Sequence, residues 1–380
     1  MTMAVLGQGT AQGGRFLPVV RTGFTTGACA AAAARAAARA LLVGTTVSDI
    51  AIELPNGALT SFAVARCERL ESRARCSVVK DAGDDPDCTD GAEIVAEVEL
   101  RDKPGIELTS GGGIAKVTRR GLGLEVGTDA INPVPRRNIA AMVSAELAAS
   151  VRRGALVILS VPGGEEMARA TLNGRLGLVG GISILGTTGV VRPFSCAAFQ
   201  KSIAVAIDVA CAEGQGHVVL TTGGRTERFA MALLPHLEES AFVQVGDEVG
   251  FGLRHAACRG ARQAVVVAMA GKLAKMAAGV VQTHVSRSPV DLNSLAALAA
   301  RCGASAHLVQ AIARANTARH GLELADAAGL EGFCELLCGS AAKFLGSVAG
   351  PALEVQTLLI GFDGQVRAAY PSPTERRSAP

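Results

Sequence analysis

At 380 residues with a net charge of +3, the chain is long enough for about two domains, and so weak a charge, carried by scattered basic residues, excludes a nucleic-acid-binding tail or stripe. Nearly half the residues are apolar, yet there is no Trp, one Tyr and eleven Phe, so the cores are built from Ala, Val, Leu and Ile, and platforms for stacking bases are scarce. Ten Cys and six His show no CxxC pair and no ligand spacing; they read as core and surface residues of a reducing compartment, with no structural metal expected.

Residues 1–18 are Gly-rich and aperiodic and are expected to form a flexible arm, as are residues 371–380. The apolar run ACAAAAARAAARALLVG (28–44) is interrupted by Arg35 and Arg39 and is too short for a bilayer. No membrane association is expected, and the cytoplasm is the expected location. Thr25 or Thr26 is placed to cap a helix through this run, because Ala is the strongest helix former and a hydroxyl satisfies a free N–H of the first turn. SDIAIELP, LTSFAVAR, RCSVVKD and EIVAEVEL follow with no helical segment between them and read as strands. A helix is expected from about Pro135 to Ser150, which makes residues 19–152 an α+β domain.

Beyond residue 153 the pattern changes. ALVILSV, HVVLTT and QAVVVAMA are continuous apolar strands, each followed by a Gly-bearing loop and a helical segment. That alternation predicts an α/β domain with a largely parallel sheet and a helical tail over residues 153–370. EVQTLLIGFDGQV reads as a further strand whose neighbours are open, and an exchange of segments between the domains is the alternative to a clean cut near residue 152.

Four stretches are candidates for chemistry. In VVLTTGGRTERFA (218–230) a strand, a Gly-rich turn and a helix start follow one another, so Gly223 and Gly224 let backbone N–H groups approach a ligand and Glu227 falls in the first helical turn. Without GxGxxG or a Walker lysine, a plain βα turn is the alternative. VPGGEEMA repeats the arrangement, but Glu165 and Glu166 suit a helix dipole whatever the function. GGISILGTTGVVRPFS (180–195), with Gly186, Thr187 and Thr188, reads as a loop lining a cleft. DAGDDPDCTD (81–90) holds five Asp; Pro86 and Thr89 stand where a calcium loop needs a Gly and an acceptor, which leaves an Asp-rich turn or a functional loop.

Taken in order, RTGFTTGACAAAAARAA, DAGDDPDCTDGAE, INPVPRRNI, TLNGRLGLVGGISILGTTGVVRP, LTTGGRTE and GKLAKMAAGVVQTH resemble the cobalt-precorrin-5B C1-methyltransferase family of the anaerobic cobalamin pathway. The likeness runs from about residue 20 to about residue 365, with Cys88 where an aliphatic residue, and Asp90 where His or Asn, is more usual. It implies transfer of a methyl group from S-adenosylmethionine to carbon 1 of a cobalt-containing, ring-contracted tetrapyrrole, giving cobalt-precorrin-6A. The cobalt belongs to the substrate. The resemblance leaves room for a homo-oligomer and for transient contacts with neighbouring pathway enzymes.

Candidate roles then follow from the chemistry. A disc edged with acetates and propionates calls for cationic and N–H donors around an apolar floor; Arg136, Arg137, Arg192, Lys272 and His284 in the family-like blocks are the candidates, together with Thr25 and Thr26. Gly223, Gly224 and Glu227, with Gly186, Thr187 and Thr188, are the candidates for the cofactor. A carboxylate on the sulfonium would favour the ground state, because that charge disappears during transfer. Asp84 or Asp85 is therefore expected to hold the cofactor's amine and hydroxyls or to accept a proton from the macrocycle. Two rivals stay open: a non-catalytic tetrapyrrole carrier, and a phosphotransferase using TTGAC, SGGGIAKVT and TTGGR, against which stands the missing GxxxxGK[ST].

Overall fold

The computed structural model describes residues 20–148, 150–151, 153–213 and 216–371; the arms expected at 1–18 and after Pro371 lie outside the described residues. Two compact units emerge. The first runs up to Leu108 and adds Pro133–Leu159 and Leu185–Phe194, and the second takes Thr109–Asn132, Ser160–Ile184 and the chain from Ser195 onward.

In the first unit a short strand, β1 (Gly23–Phe24), leads into α1 (Thr26–Val43). Thr25 caps α1 by accepting a hydrogen bond from Ala28 N at 3.2 Å, and Gly44, at φ 78°, ends it in the left-handed conformation that glycine adopts without strain. Strands β2 (Asp49–Glu53) and β3 (Leu59–Ala63) form an antiparallel hairpin. Next come β4 (Arg66–Arg69), β5 (Arg73–Val79), β6 (Glu93–Arg101), β7 (Gly105–Ser110), α2 (Pro133–Leu147), β8 (Gly154–Ser160) and β9 (Val190–Val191). Five of these strands make one sheet in the order β4-β5-β6-β8-β7. The sequence reading lacks β4 and β7, whose RCER and GIELTS carry too few apolar residues to alternate clearly.

Nearly every side of α1 is buried, by α2, β2, β5 and β6. Only a helix of small side chains fits so closely, which is why the seam is all Ala, with Ala30 to Ala34 0 % exposed. By length and composition α1 matches a membrane span, yet its surface is covered by its own unit. Its two Arg converge on α2: Arg35 and Arg39 both bind Glu146, each at 2.7 Å. By contrast α2 buries a single stripe, Pro135, Ile139, Val143 and Leu147, at helical spacing.

The second unit contains α3 (Cys196–Ala212), β10 (His217–Thr221), α4 (Gly224–Leu233), β11 (Phe242–Gln244), α5 (Val249–Cys258), β12 (Gln263–Ala268) and α6 (Ala270–Ala277). Four helices follow, α7 (Leu292–Arg301), α8 (Ala306–Ala313), α9 (Ala318–Ala327) and α10 (Phe333–Ala349), and then β13 (Glu354–Ile360) and β14 (Val366–Tyr370). The sheet order is β11-β10-β12-β13-β14; the first four strands are parallel and β14 is antiparallel to β13. Val218, Leu220, Val266 and Leu359 join the large core with α5, α6 and α10, whereas Val219, Val267 and Ile360 face a smaller core under α4. The period of two along each strand therefore serves two apolar faces, and this explains the unbroken apolar runs.

The protein is thus a mixed α/β protein with several sheets, some of them parallel. Its division differs from a single cut at 152. Gly154–Leu159 lies in the first unit's sheet, and residues 109–132 and 160–184 fold on each other in the second unit, where Gly113–Ile114 pairs with Gly181–Ile182 and Lys116–Val117 with Leu178–Val179. Pairing partners far apart in sequence, not local pattern, set these crossings.

Ala33→Val inserts two methyl groups into the closed seam of α1. The expected cost is about 1–3 kcal/mol, read as a lower urea midpoint at constant slope; an unchanged midpoint would mean that the seam has room.

Candidate active site

Residues 21–27 bring three of the motifs together within the first unit. On one side of β1 the acidic loop approaches: Thr22 bridges Gly83, and Phe24 N donates to Asp81 O at 2.7 Å. On the other side β1 pairs with β9, Thr25 N donates to Gly189 O and Gly27 N to Leu185 O, both at 3.0 Å. A Cβ on Gly23 would collide with the Ala82 backbone, and one on Gly27 would lie 2.6 Å from Pro135 of α2. Glycine at these positions lets the backbone come against the Ala82 backbone, the Pro135 ring and the Leu185 carbonyl.

The five aspartates of the acidic loop mostly hold the loop itself. Asp81 takes the Arg21 guanidinium and Gly83 N, Asp84 takes Arg21 N at 2.7 Å, and Asp90 takes Ala82 N at 2.7 Å. Asp87 accepts from Thr89 N and Oγ1 and pairs at 2.8 Å with Lys80, whose side chain is 1 % exposed. Burial pushes the Asp87 carboxyl up, but Lys80 and the two Thr89 bonds outweigh it and hold the group below its ordinary value. Asp85 alone, half-buried, has no partner among the described residues. Of the two expected catalytic carboxylates, Asp84 is therefore a backbone anchor and Asp85 is the free one.

Thr25 and Thr26, expected at the substrate, are buried and engaged. Thr25 Oγ1 caps α1, and Thr26 Oγ1 accepts from Leu185 N at 3.0 Å, so both shape the 185–189 loop. In that loop Gly186, at φ 130°, lies against the Thr25 side chain; the Thr188 hydroxyl bonds Val190, and Thr187 is exposed. Arg136 and Arg137 stand in the first turn of α2, half-buried and exposed, and Arg192, just past β9, is exposed. None of these three has an ion-pair partner among the described residues. Phe194, which the sequence reading passed over, holds φ 54° while 77 % exposed.

The second unit has its own cavity, of about 770 Å³, at the carboxyl ends of β10 and β12, the edge at which open parallel sheets bind ligands. Gly223 lines it, at φ 158° and ψ 170° with open space where a Cβ would stand. Gly224 does not line it and has room for a side chain, the nearest atom being Gln244 Nε2 at 3.8 Å. Glu227 is 6 % exposed and bound to Gln244 and to Arg175 at 3.0 Å; it fixes α4 to the sheet and has no free oxygen for a cofactor. Arg175 also donates to Phe242 O at 2.6 Å.

Lys272 lines the cavity, but its ammonium is committed to Thr222 O at 2.9 Å, Gly246 O at 3.0 Å and Asp247 at 3.2 Å. It clasps the loops after β10 and β11, so its donors are taken within the second unit. His284 is exposed, bonds Ser286 at 2.7 Å and is absent from the cavity wall. Lys275, three residues beyond Lys272 in the same motif, is the residue that sequence reasoning missed. It lines the cavity while 6 % exposed. Its apolar neighbours masked the signal, an uncompensated Lys in a buried helix. In the SGGGIAKVT loop, Lys116 is paired with Asp129, which also takes Ser110, so the phosphate cradle of a phosphotransferase is missing its lysine.

Residues 17–193 match the family described as CbiD, and residues 282–371 match the CbiD C-terminal domain. A protein of Rubrobacter xylanophilus named cobalt-precorrin-5B C(1)-methyltransferase is 54 % identical over 348 residues, covering 90 % of this chain and 89 % of that one. The chain belongs to the CbiD family. Proteins of the same name from Salinispora arenicola and Leptospira interrogans are 52 % and 48 % identical, each over 91 % of this chain and over 91 % and 95 % of their own. A crystal structure of a cobalamin biosynthesis protein (cbiD) from Archaeoglobus fulgidus is similar at 28 % identity and a TM-score of 0.37, over 69 % of this chain and 80 % of that one.

Asp87→Asn keeps the shape but strands the buried Lys80 charge, at an expected cost of about 3–5 kcal/mol. Because the Asp87 carboxyl is held low, its contribution is full above the unfolded-state value and is lost as pH falls through the lower folded one. Urea midpoints across the acid range should fall more gently in the variant than in the wild type; parallel curves would show that the pair holds nothing.

Proposed function

We propose that this chain transfers the methyl group of S-adenosylmethionine to carbon 1 of cobalt-precorrin-5B, giving cobalt-precorrin-6A, in the cytoplasm. The observation that carries the reading is the 54 % identity, over nine-tenths of the chain, to a protein named for that reaction. The finer layout, an α+β first unit and an α/β second unit, belongs to the same reading. S-adenosylmethionine brings an activated methyl group on a sulfonium, and the electron-rich macrocycle brings the nucleophile. The chain's own residues therefore position and dehydrate, and none forms a covalent bond.

The two candidate loops fit the donor differently. Its amine and ribose hydroxyls call for a carboxylate or other acceptors, and the loops beside β1 offer the unpaired Asp85 with the exposed Thr187 and the backbone of Gly186–Thr188. The cavity of the second unit has no carboxylate in its wall to meet the amine, and offers the hydroxyls only neutral acceptors such as Asn316 and Thr317. Asp85 is accordingly assigned to the donor's amine or hydroxyls, or to a proton leaving the macrocycle. Arg136, Arg137 and Arg192 are forks for ligand carboxylates, which Lys cannot match with two parallel bonds.

Incubated anaerobically with cobalt-precorrin-5B and methyl-labelled donor, the chain should release one S-adenosylhomocysteine per label placed on carbon 1. A carrier or a phosphotransferase would consume no donor. Asp85→Asn separates the two roles of that carboxylate: loss of turnover with intact S-adenosylhomocysteine affinity marks a proton acceptor, and a loss of affinity of about tenfold or more marks an anchor for the amine. Wild-type turnover and affinity in the variant would remove Asp85 from the site.

A further inference from the structure

The wall of the second unit's cavity carries charge of one sign. Arg225, Lys272, Lys275 and Arg319 line it, and no carboxylate does. Two of these cations are already balanced, Lys272 by Asp247 at 3.2 Å and Arg319 by Glu323 at 2.7 Å. Lys275 and Arg225 have no ion-pair partner among the described residues. Among the described residues the Lys275 ammonium makes a single hydrogen bond, to Thr283 O at 2.8 Å, although the residue is only 6 % exposed. Burying an ammonium with unused donors and no counter-charge is costly, and an anion entering the cavity removes that cost.

The rest of the wall combines the neutral polar side chains of Thr222, Thr226, Asn316 and Thr317 with an apolar part. Val285, Val290 and Leu292 contribute to it, and the Phe362 ring lies beneath the guanidinium groups of Arg225 and Arg319, with centroid distances of 5.5 and 4.7 Å. At about 770 Å³ the space far exceeds that of an inorganic anion. S-adenosylmethionine, whose sulfonium and ammonium outnumber its one carboxylate, would bring further positive charge to this wall.

We propose that this cavity binds the carboxylate-bearing edge of the tetrapyrrole macrocycle, with Lys275 and Arg225 each pairing with a peripheral carboxylate and the apolar wall meeting the ring. The inference rests on the reading of the chain as a tetrapyrrole methyltransferase. It reverses the sequence-based assignment of the Gly223 loop from methyl donor to macrocycle, because the charge of the wall, not the Gly-rich turn, selects the ligand.

The test uses the full chain with three probes: cobyrinic acid, an oxygen-stable corrinoid with free carboxylates; its neutral methyl ester; and S-adenosylhomocysteine. Cobyrinic acid should bind and the ester should not, with affinity falling as salt rises. Lys275→Met, which keeps the buried stem, and Arg225→Ala, which changes an exposed side chain and so guards against misfolding, should each weaken cobyrinic acid binding at least about tenfold. Both should leave S-adenosylhomocysteine affinity unchanged. Equal binding of acid and ester, or variants that lose S-adenosylhomocysteine and keep cobyrinic acid, would overturn the proposal while leaving the methyltransferase reading intact. A wild-type chain that binds none of the probes and consumes no methyl donor would overturn both.

Discussion

The amino end of α1 has to touch three other parts of the first unit through backbone atoms, and most of that unit's organisation follows from this. Gly23 meets Ala82, Gly27 meets Pro135 and Leu185, and Thr25 N reaches Gly189 O. A side chain at either glycine would push the strand away from the acidic loop or the helix away from α2. The same economy continues along α1, where alanines let the helix sit against α2 and the strands, and where Arg35 and Arg39 can reach Glu146. Burial pushes the Glu146 carboxyl up, and the two guanidinium groups more than reverse that, so the helix pair is joined by charge as well as by shape. Loops held this closely are rigid, and transfer between two bound molecules depends on rigid positioning.

The acidic loop shows how a dense run of one charge can be mainly structural. Each aspartate bound to a backbone N–H replaces a water hydrogen bond with one that fixes the turn. The buried Lys80 requires a carboxylate beside it, since an unpaired ammonium in the interior costs several kcal/mol. Once Asp81, Asp84, Asp87 and Asp90 are bound in this way, the one carboxylate left over becomes conspicuous. Asp85 is the member of the cluster with no hydrogen bond or ion pair among the described residues.

In the second unit the parallel sheet places its loops at one edge, and two basic residues close them. Arg175 ties α4 to the end of β11 through Glu227 and Phe242 O, and Lys272 ties the turns after β10 and β11. Both look like ligand-binding cations in a list of residues, and both are spent on backbone carbonyls and carboxylates of their own unit. Lys275 is the reverse case: packed in a helix, it keeps a charge with no ion-pair partner among the described residues. The distinction is one of partners, and it decides which cations are available to a ligand.

Much of this was legible in the residues. The Thr cap and the Ala helix, the strands β2, β3, β5 and β6, the parallel strands HVVLTT and QAVVVAMA and the family-like blocks all rest on local pattern, where propensity, period and turn chemistry act over a few neighbouring residues; ALVILSV, read as part of the same layer, lies in the first unit's sheet. The strand EVQTLLI was legible too, but its place was not: β13 lies parallel beside β12 although the helices α6 to α10 and their loops intervene, a pairing that no local signal encodes. The crossings of the chain between units have the same origin. For the candidate site, residue type and spacing picked out loops without showing which of their atoms are already bound. They could not show that Glu227, Lys272, Thr25 and Thr26 are satisfied within the fold while Asp85 and Lys275 are not. Residue type and spacing determine what chemistry a side chain is able to do; only the tertiary structure decides whether its hydrogen bonds and charge are already taken, because those partners arrive from distant parts of the chain.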